Sequence, residues 1–236
     1  MVDNSLLIPV PDWGTFDDAS KWVEEGLLQI SAVPRSGAAA GRFSCTQTPT
    51  PSTKVRRFGL YQDPMWRRAV LATFLADIAS YPASVDQVNF ERLTFVMHAF
   101  PQGFRTFWAE SDRGTWWPVG YSGWYPMLAS AFRAFEKDPS ALQDRMVVPA
   151  PLGTASSPYL YIFNYSVAGA LRGTALSSHL VKTLAADIAN VRPAGLATIA
   201  VSSDGCRVAS RFGMIQTGKL TLGGVQESVF AGRLPR

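Results

Sequence analysis

The sequence predicts an α/β (α+β) fold, in which amphipathic helices cover a central sheet. Residues 159–167 are rich in aromatic and other strand-favouring residues, and a turn of small residues leads from them into a helix with one apolar face. Residues 104–110 and 116–124 have strand composition on either side of a turn-forming stretch, which is typical of a hairpin. Residues 196–201 form a short apolar run that suits a buried parallel strand.

The length and composition of the chain are those of a globular domain. At 236 residues it can bury a sizeable core. Its 47% hydrophobic and 17% charged residues exclude wholesale disorder. The net charge of +4 favours anionic partners, and a nucleotide satisfies that preference as well as a nucleic acid does. The basic clusters are too short to form a nucleic-acid-binding stripe, so we expect no nucleic-acid partner.

The cysteine and histidine content argues against a disulfide framework or a metal site. The cysteines are Cys45 and Cys206, the histidines are His98 and His179, and neither pair has metal-type spacing. The first residues are acidic and interrupted by prolines, unlike a signal peptide. No apolar run approaches the roughly twenty residues that span a bilayer. We therefore expect a cytoplasmic protein without a membrane span.

The N-terminal part differs in composition from the rest, which suggests an extension over residues 1–52 and a single domain over residues 53–236. In the extension, Asp17 or Asp18 is expected to cap a short helix that buries one apolar side. Residues 36–52 are mostly Gly, Ala, Ser, Thr and Pro, which predicts a loop or linker.

Two helices and a strand are expected around the hairpin. Asp63, followed by a proline, predicts a helix start with Asp as N-cap and Pro at the first helical position. This helix ends at Tyr81, which also precedes a proline. Residues 88–100 are predicted to form a strand, in which His98 is either a hydrogen-bonded core residue or a general base. Residues 127–137 are expected to be helical.

Glycines interrupt the second strand of the hairpin. Gly120 and Gly123 lie between large residues of this strand. Glycine inside a strand marks a bulge or the close approach of a ligand or another backbone. We expect one or the other here.

The turn after residue 167 carries the most informative pattern. Val167 ends the strand, Arg172 follows five residues later, and residues 173–178 form a loop of mostly small residues at the helix start. Unpaired N–H groups and the positive end of the helix dipole make such a loop an anion site. The stretch resembles motif A of the GNAT superfamily of N-acyltransferases, with Ala175 and Ser177 in place of two usual glycines.

The segment that follows resembles motif B of the same superfamily. A strand and a polar turn lead into a short helix at residues 206–212, which Gly213 ends. The family often carries a general-acid tyrosine four residues before this glycine, and here that position is Ala209. Residues 214–217 and 225–233 are expected to be closing strands.

The resemblance covers residues 158–233, and residues 90–126 more weakly. It implies a central mixed, mostly antiparallel sheet flanked by helices. It also implies an acyltransferase that moves an acetyl or longer acyl group from acetyl-CoA or another acyl-CoA to an amine, by direct attack in a ternary complex. The amine acceptor is a small molecule or a protein, and a homodimer is left open.

The resemblance also assigns site residues. The implied coenzyme A contacts are Val167, Arg172, Gly173, Thr174, Ala175, Ser177 and Ser178. Backbone amides at a bulge, expected at residues 165–167, polarise the thioester carbonyl. The catalytic candidates are Glu110 and Asp112, as bases acting directly or through water, together with Tyr165 and Ser203.

Two other functions stay open. Ala209 and the replaced glycines favour a catalytically degenerate protein of this fold that binds acyl-CoA or has a regulatory role. The glycine–aromatic run at residues 119–124 is similar to the toxin-activating acyltransferases, which acylate protein lysines.

Overall fold

The computed structural model of the chain describes residues 16–31, 33, 42–52, 56–57, 60–81, 83, 86–111, 114–142, 147–151, 158–222 and 224–234. The helices are α1 (Phe16–Ser31), α2 (Pro64–Ser80), α3 (Phe90–Ala99), α4 (Ala129–Lys137), α5 (Ala175–Val191) and α6 (Ser203–Arg211). The strands are β1 (Phe43–Gln47), β2 (Arg56–Arg57), β3 (Leu60–Tyr61), β4 (Phe104–Glu110), β5 (Trp116–Met127), β6 (Tyr159–Val167), β7 (Gly195–Ala200), β8 (Ile215–Leu222) and β9 (Val225–Arg233).

Seven strands form the central sheet, in the order β1-β4-β5-β6-β7-β9-β8. Every neighbouring pair is antiparallel except β6 and β7, which run parallel. A mixed, mostly antiparallel sheet flanked by helices was expected, and the structure confirms it. Strands β2 and β3 form a separate ribbon.

The sheet opens between its two parallel strands. β6 and β7 pair over three positions, from Tyr159 opposite Gly195 to Tyr161 opposite Ala197. Beyond this point each strand continues along its other neighbour, β6 along β5 and β7 along β9. The Thr198 hydroxyl donates to the Ile162 carbonyl oxygen at 2.9 Å, just where the strand pairing stops. A gap therefore opens toward the C-terminal ends of both strands.

Helices α2 and α5 pack on opposite faces of the sheet. Thr73 of α2 and Thr106 of β4 share a hydrogen bond of 2.9 Å between their hydroxyls. The preceding residue of the strand, Arg105, donates two hydrogen bonds of 2.5 and 2.7 Å to Asp187 of α5. Because successive strand residues point to opposite faces, the two helices lie on either side of the sheet.

Helix α2 begins as the sequence predicted. The Asp63 carboxylate accepts hydrogen bonds from the amides of Met65 and Trp66 at 2.9 and 3.2 Å, and Pro64 opens the helix. At the other end the Tyr81 amide bonds back to the Asp77 carbonyl at 3.1 Å. The N-cap supplies the hydrogen bonds that first-turn amides lack, which fixes where the helix starts.

Residues 88–100 were predicted to form a strand, and this was wrong, because residues 90–99 form helix α3. The Asn89 side chain caps the helix by accepting from the amides of Glu91 and Arg92 at 2.9 and 3.2 Å. Buried Leu93, Val96 and Met97 recur at helical spacing. His98 therefore lies on a helix, where its ring packs edge-on against Trp66 at 6.1 Å.

Two expectations for the N-terminal part also change. Phe43–Gln47, which was predicted to be part of a loop, forms the edge strand β1 and pairs with β4 along its whole length. Helix α1 begins at Phe16, so Asp17 and Asp18 lie inside the helix and not at its N-cap. The division at residue 52 stays a prediction, although β1 precedes it and belongs to the central sheet.

The later elements lie close to their predicted positions. The helix expected at residues 127–137 begins at Ala129, because Met127 is the last residue of β5. The closing strand expected at residues 214–217 extends over Ile215–Leu222 as β8.

The strand glycines mark close approaches and bulges, as expected. A Cβ at Gly120 would lie 2.7 Å from the Ser166 carbonyl oxygen, and one at Gly123 would lie 2.6 Å from the Phe104 ring. The pairing of β5 with β6 shifts register just after Gly123. These positions keep β4, β5 and β6 close together beside the gap.

Candidate active site

A cleft of about 880 Å³ occupies the gap where β6 and β7 separate; we call it the β6–β7 cleft. The lining comes from the C-terminal end of α2, residues 86–92, strands β5 and β6 and the start of α5. The end of β7, the turn and helix α6 that follow it, and Glu227 of β9 complete it. Two walls of this cleft differ in chemistry. One is formed by the first turn of α5, and the other by α2 and the strand side chains that face it.

The first turn of α5 presents uncapped amides to the cleft. Thr174 is the N-cap residue, but its hydroxyl donates to the Leu171 carbonyl oxygen at 2.7 Å and makes no capping hydrogen bond. The Ser177 hydroxyl donates to the same oxygen at 3.2 Å. Gly173 adopts a φ of +74°, a conformation that glycine reaches without strain. The helix therefore begins with amide donors available to an anion.

The motif A residues lie together on this wall. The cleft is lined by Val167, Arg172, Gly173, Thr174, Ser177 and Ser178, whereas Ala175 is exposed outside it. The Arg172 guanidinium donates to the Ser80 carbonyl oxygen at 2.5 Å, which links the start of α5 to the end of α2 across the open edge of the gap. Lys182, Arg207 and Arg211 add positive charge to the lining.

The opposite wall contains a buried acid network of Asp77, Tyr121 and Asn164. Asp77 is fully buried on α2. Its carboxylate accepts from the Tyr121 hydroxyl at 2.7 Å, from the Asn164 amide at 3.3 Å and from the Val88 amide at 2.8 Å. The Asn164 amide also donates to the Tyr121 hydroxyl at 2.5 Å. These bonds fix three elements, α2, β5 and β6, to one another.

Burial is the main cause of the raised pKa values of Asp77 and Tyr121. Desolvation raises the pKa of Asp77 to about 6, against the opposing effect of its hydrogen bonds with Tyr121 and Val88. Burial also raises the pKa of Tyr121, and the Asp77 charge raises it further. The carboxylate is therefore ionised at neutral pH while the tyrosine stays protonated.

Sequence reasoning missed this network. Its members lie 44 and 43 residues apart along the chain. The available signal was Asp77 itself, the charged residue in the mostly apolar run of residues 69–80. Lys, Glu, Arg and Asp are rarely fully buried unless they are paired, so that aspartate marks a position of special chemistry.

Tyr165 lies on the other face of β6 from Asn164. Its hydroxyl donates to the Gly205 carbonyl oxygen of α6 at 2.8 Å, and it lines the cleft. Burial raises the pKa of Tyr165, so the hydroxyl keeps its proton at neutral pH. The structure thus places a protonated phenol next to the helix whose Ala209, fully buried, occupies the family's tyrosine position.

The bulge in the central strand lies earlier than expected. Gly123 pairs with Asn164 and Trp124 with Ile162, so Phe163 is the extra residue. Residues 165–167, where the bulge was expected, pair regularly with residues 120–122 of β5. The irregular backbone at Phe163 faces the cleft two to four residues before the predicted position.

Two of the other predicted residues, Glu110 and Ser203, lie outside the cleft lining. The Glu110 carboxylate accepts two hydrogen bonds from Arg42, at 2.6 and 2.5 Å, which lower its pKa. Ser203 is exposed at the start of α6, and its neighbour Ser202 lines the cleft and accepts from the Gly205 amide at 3.1 Å. Asp112 lies outside the described residues.

Comparison with solved structures identifies the fold. The loading GNATL domain of CurA from Lyngbya majuscula is 9% identical, with a TM-score of 0.54 over 81% of this chain and 98% of that chain. PH1933 from Pyrococcus horikoshii is 10% identical, with a TM-score of 0.49 over 83% and 100% of the two chains. A chain of the NatC complex bound to Gag peptide and CoA is 10% identical, with a TM-score of 0.49 over 71% and 91%.

The CurA comparison carries the conclusion: the chain has the GNAT fold. No protein-family model and no curated protein sequence matches the chain. Within the described ranges, no helix is long and apolar enough to cross a membrane. Those same ranges contain no group of three His, Cys, Asp or Glu side chains that could hold a metal ion.

Proposed function

We propose that the protein is an acyltransferase that moves an acetyl or longer acyl group from coenzyme A to an amine. One observation carries the proposal: two parallel strands separate beside a helix whose first-turn amides are uncapped. A slot through a sheet admits an extended thioester arm. Amides at a helix N-terminus suit its pyrophosphate. A cytoplasmic location stays a prediction.

The start of α5 is the proposed phosphate site. Gly173, Thr174, Ser177 and Ser178 present small side chains there, so an anion can approach the amides. Lys182 and Arg211 lie in the same lining and favour a polyanion, whereas Arg207 is paired with Asp204 of its own helix. Arg172, held by Ser80, is proposed to shape the loop while its charge stays close to the phosphates.

Coenzyme A, when bound, supplies the acyl group as an activated thioester. The proposed role of β6 is to point backbone amides around the Phe163 bulge at the carbonyl oxygen, where negative charge develops during attack. The acceptor nitrogen enters from the wall that holds the buried acid network. The acceptor nitrogen attacks as the free amine, after its ammonium form has released a proton to the water of the open cleft. As the C–N bond forms and the C–S bond breaks, the nitrogen releases a second proton and the departing sulfur takes one up, so the products are the amide, the coenzyme A thiol and one hydrated proton.

Tyr165 is the proposed proton donor to the sulfur. It lines the cleft and keeps its proton at neutral pH. Its O–H donates to the Gly205 carbonyl oxygen of α6, the helix in which the family's tyrosine is absent, so the hydroxyl turns from that oxygen to the sulfur when it donates, and solvent restores the proton. Glu110 receives no role in this proposal, because its carboxylate is occupied by Arg42 away from the cleft.

A second candidate is a protein that binds acyl-CoA without turnover. Buried Ala209 favours it, because no hydroxyl is available at that position. Turnover confined to a polypeptide acceptor would instead favour the protein-lysine alternative.

Release of free coenzyme A thiol from acetyl-CoA, with a panel of primary amines and a lysine-containing peptide, tests the proposal. Amine-dependent release by the wild-type protein is expected, and Ser177→Trp should abolish it because the indole would cover the first-turn amides. Asn190→Trp, at the exposed far end of the same helix, is the control and should keep the activity. Binding without release would support the second candidate, and activity retained by Ser177→Trp would remove the first-turn amides of α5 from the site.

A further inference from the structure

Three side-chain oxygens lie together on the α2 wall of the β6–β7 cleft. The Tyr81 hydroxyl donates to Asn164 Oδ1 at a long 3.4 Å. Ser166 follows Asn164 by two residues, so the two side chains lie on the same face of β6. The Ser166 hydroxyl lowers the pKa of Tyr81, which places the Ser166 and Tyr81 hydroxyls close together. All three residues line the cleft.

The Ser166 hydroxyl lies near that of Tyr81, yet its hydrogen bonding is incomplete. Its residue is only 8% exposed, and among the residues that the structure describes its hydroxyl has no hydrogen-bond partner of normal geometry. Buried polar groups are nearly always paired, and an exception calls for an explanation. A ligand group that fills the cleft beside Ser166 would supply the missing partner.

A negative charge lies directly behind these oxygens. Asp77 bonds to Asn164, and its charge contributes, after burial, to the raised pKa of Tyr81. Within the described part of the chain no Lys, Arg or His makes an ion pair with Asp77. Arg172 lowers the pKa of Tyr81, but its guanidinium donates to the Ser80 carbonyl oxygen. A buried carboxylate without a cation is costly, and a cationic ligand would offset that cost.

We infer that Tyr81, Asn164 and Ser166 bind the primary ammonium group of the acceptor, with Asp77 as its buried counter-charge. The inference rests on the proposed function for the identity of the ligand as the acceptor. A primary ammonium has three N–H donors and no acceptor, which matches three oxygens backed by an anion. We call these three residues the ammonium site.

The surroundings of the ammonium site define the rest of the ligand. Tyr161 and Phe163 line the cleft beside it, so an apolar or aromatic body fits next to the charged group. Phe163 is also the bulged residue of β6 and directly precedes Asn164, so the ammonium site adjoins the proposed carbonyl site. The site thus selects alkylammonium compounds over alcohols and over amines that carry no N–H donors.

Calorimetric titration without coenzyme A tests the site with three probes that share one ring. Benzylamine carries a charged group with three donors, benzyltrimethylammonium carries a charge without donors, and benzyl alcohol is neutral. We expect benzylamine to bind at least tenfold more tightly than either of the others. Equal binding of all three, or binding of none, would overturn the assignment.

Substitutions at and near the ammonium site test whether benzylamine binds there. Ser166→Ala should weaken benzylamine binding about tenfold or more, because a hydrogen bond to a charged group is lost. Asp77→Asn should weaken it further while leaving the binding of benzyl alcohol unchanged. Ser122→Ala is the matched control: this serine is equally buried in the neighbouring strand, faces the opposite side and does not line the cleft. An unchanged benzylamine affinity in Ser166→Ala would overturn the assignment even if Asp77→Asn failed to fold.

The benzylamine test of the ammonium site can succeed or fail independently of the proposed acyl transfer. Benzylamine binding at the ammonium site in a protein that does not bind acetyl-CoA would leave the site standing and the acyl-transfer proposal refuted. Acetyl-CoA binding without benzylamine binding would refute the ammonium site and leave the acyl-transfer proposal standing.

Discussion

Helix α2 buries the carboxylate of Asp77, which forms no ion pair with a cation among the described residues. The contribution of this carboxylate to the free energy of unfolding therefore depends on pH. Its pKa is raised from 3.8 to about 6 by desolvation, with its hydrogen bonds opposing. The folded protein therefore holds this proton more tightly than the unfolded chain does. The contribution to stability is fully present below about pH 4 and is lost as the pH rises through about 6.

Replacing this carboxylate should remove that pH dependence. Between pH 4 and pH 7 the free energy of unfolding of the wild type should fall by roughly 2 kcal/mol relative to Asp77→Asn. Urea unfolding of both proteins across this range measures the difference, in which the other carboxylates cancel. A constant difference would mean that Asp77 is not the buried, proton-binding group described here.

Tyr165 offers a second residue-level prediction. If its hydroxyl protonates the leaving sulfur, Tyr165→Phe should lower kcat by about 100-fold, the lower range for general acid catalysis, and leave acetyl-CoA binding unchanged. Tyr159→Phe is the control, because Tyr159 stacks on Phe132 at 4.1 Å and does not line the cleft. A Tyr165→Phe enzyme with wild-type kcat would assign the proton to solvent or to another group.

At the scale of elements, the close contact between β5 and β6 holds Ser166 in the wall of the cleft. Gly120 lies opposite Val167, the last residue of β6, and a Cβ there would lie 2.7 Å from the Ser166 carbonyl oxygen. Backbone cannot move aside as cheaply as a flexible side chain can. The two strands therefore need glycine at this position.

Gly120→Ala should destabilise the fold by about 1–3 kcal/mol, the usual cost of an overpacked interior, and should weaken ligand binding at Ser166. Gly169→Ala is the control, because a Cβ there meets nothing within 4 Å. Thermal unfolding of both variants checks the difference. Equal stability would show that the two strands tolerate a wider separation.

Elements with their own end signals could be predicted from the sequence. Asp63 and Pro64 marked the start of α2, and the spacing of leucines marked α5. Helix α3 was mistaken for a strand because its short apolar run contains Val and Phe, which also favour strands, and its Asn89 cap was not recognised. Strand β1 was missed because its polar sequence has strand character only beside β4.

At the scale of the molecule, the candidate site has two halves of different predictability. The half at the start of α5 is contiguous in sequence, so its small residues and Arg172 could be predicted together. The half at Asp77, Tyr121 and Asn164 is assembled from three distant segments, and no local sequence pattern predicts it. The fold creates this half by bringing α2 across β5 and β6.

The separation of β6 and β7 is likewise a property of the whole sheet. Each strand keeps its outer partner, and the two part after Tyr161 and Ala197. A sequence pattern predicts strands but not where their pairing stops, because that depends on the helices above and below. The location of the cleft therefore had to come from the structure.

The central claim is that acyl-CoA binds in the β6–β7 cleft with its phosphates at the start of α5, and titration with acetyl-CoA followed by thermal and chemical unfolding tests it most directly. A ligand that binds only the folded state at a hundredfold excess over its dissociation constant adds about 2.7 kcal/mol to the free energy of unfolding. We predict a stabilisation of this size for the wild type and for Asn190→Trp, and none for Ser177→Trp. The absence of any stabilisation of the wild type by acetyl-CoA or a longer acyl-CoA would contradict the claim and leave the fold without its proposed co-substrate.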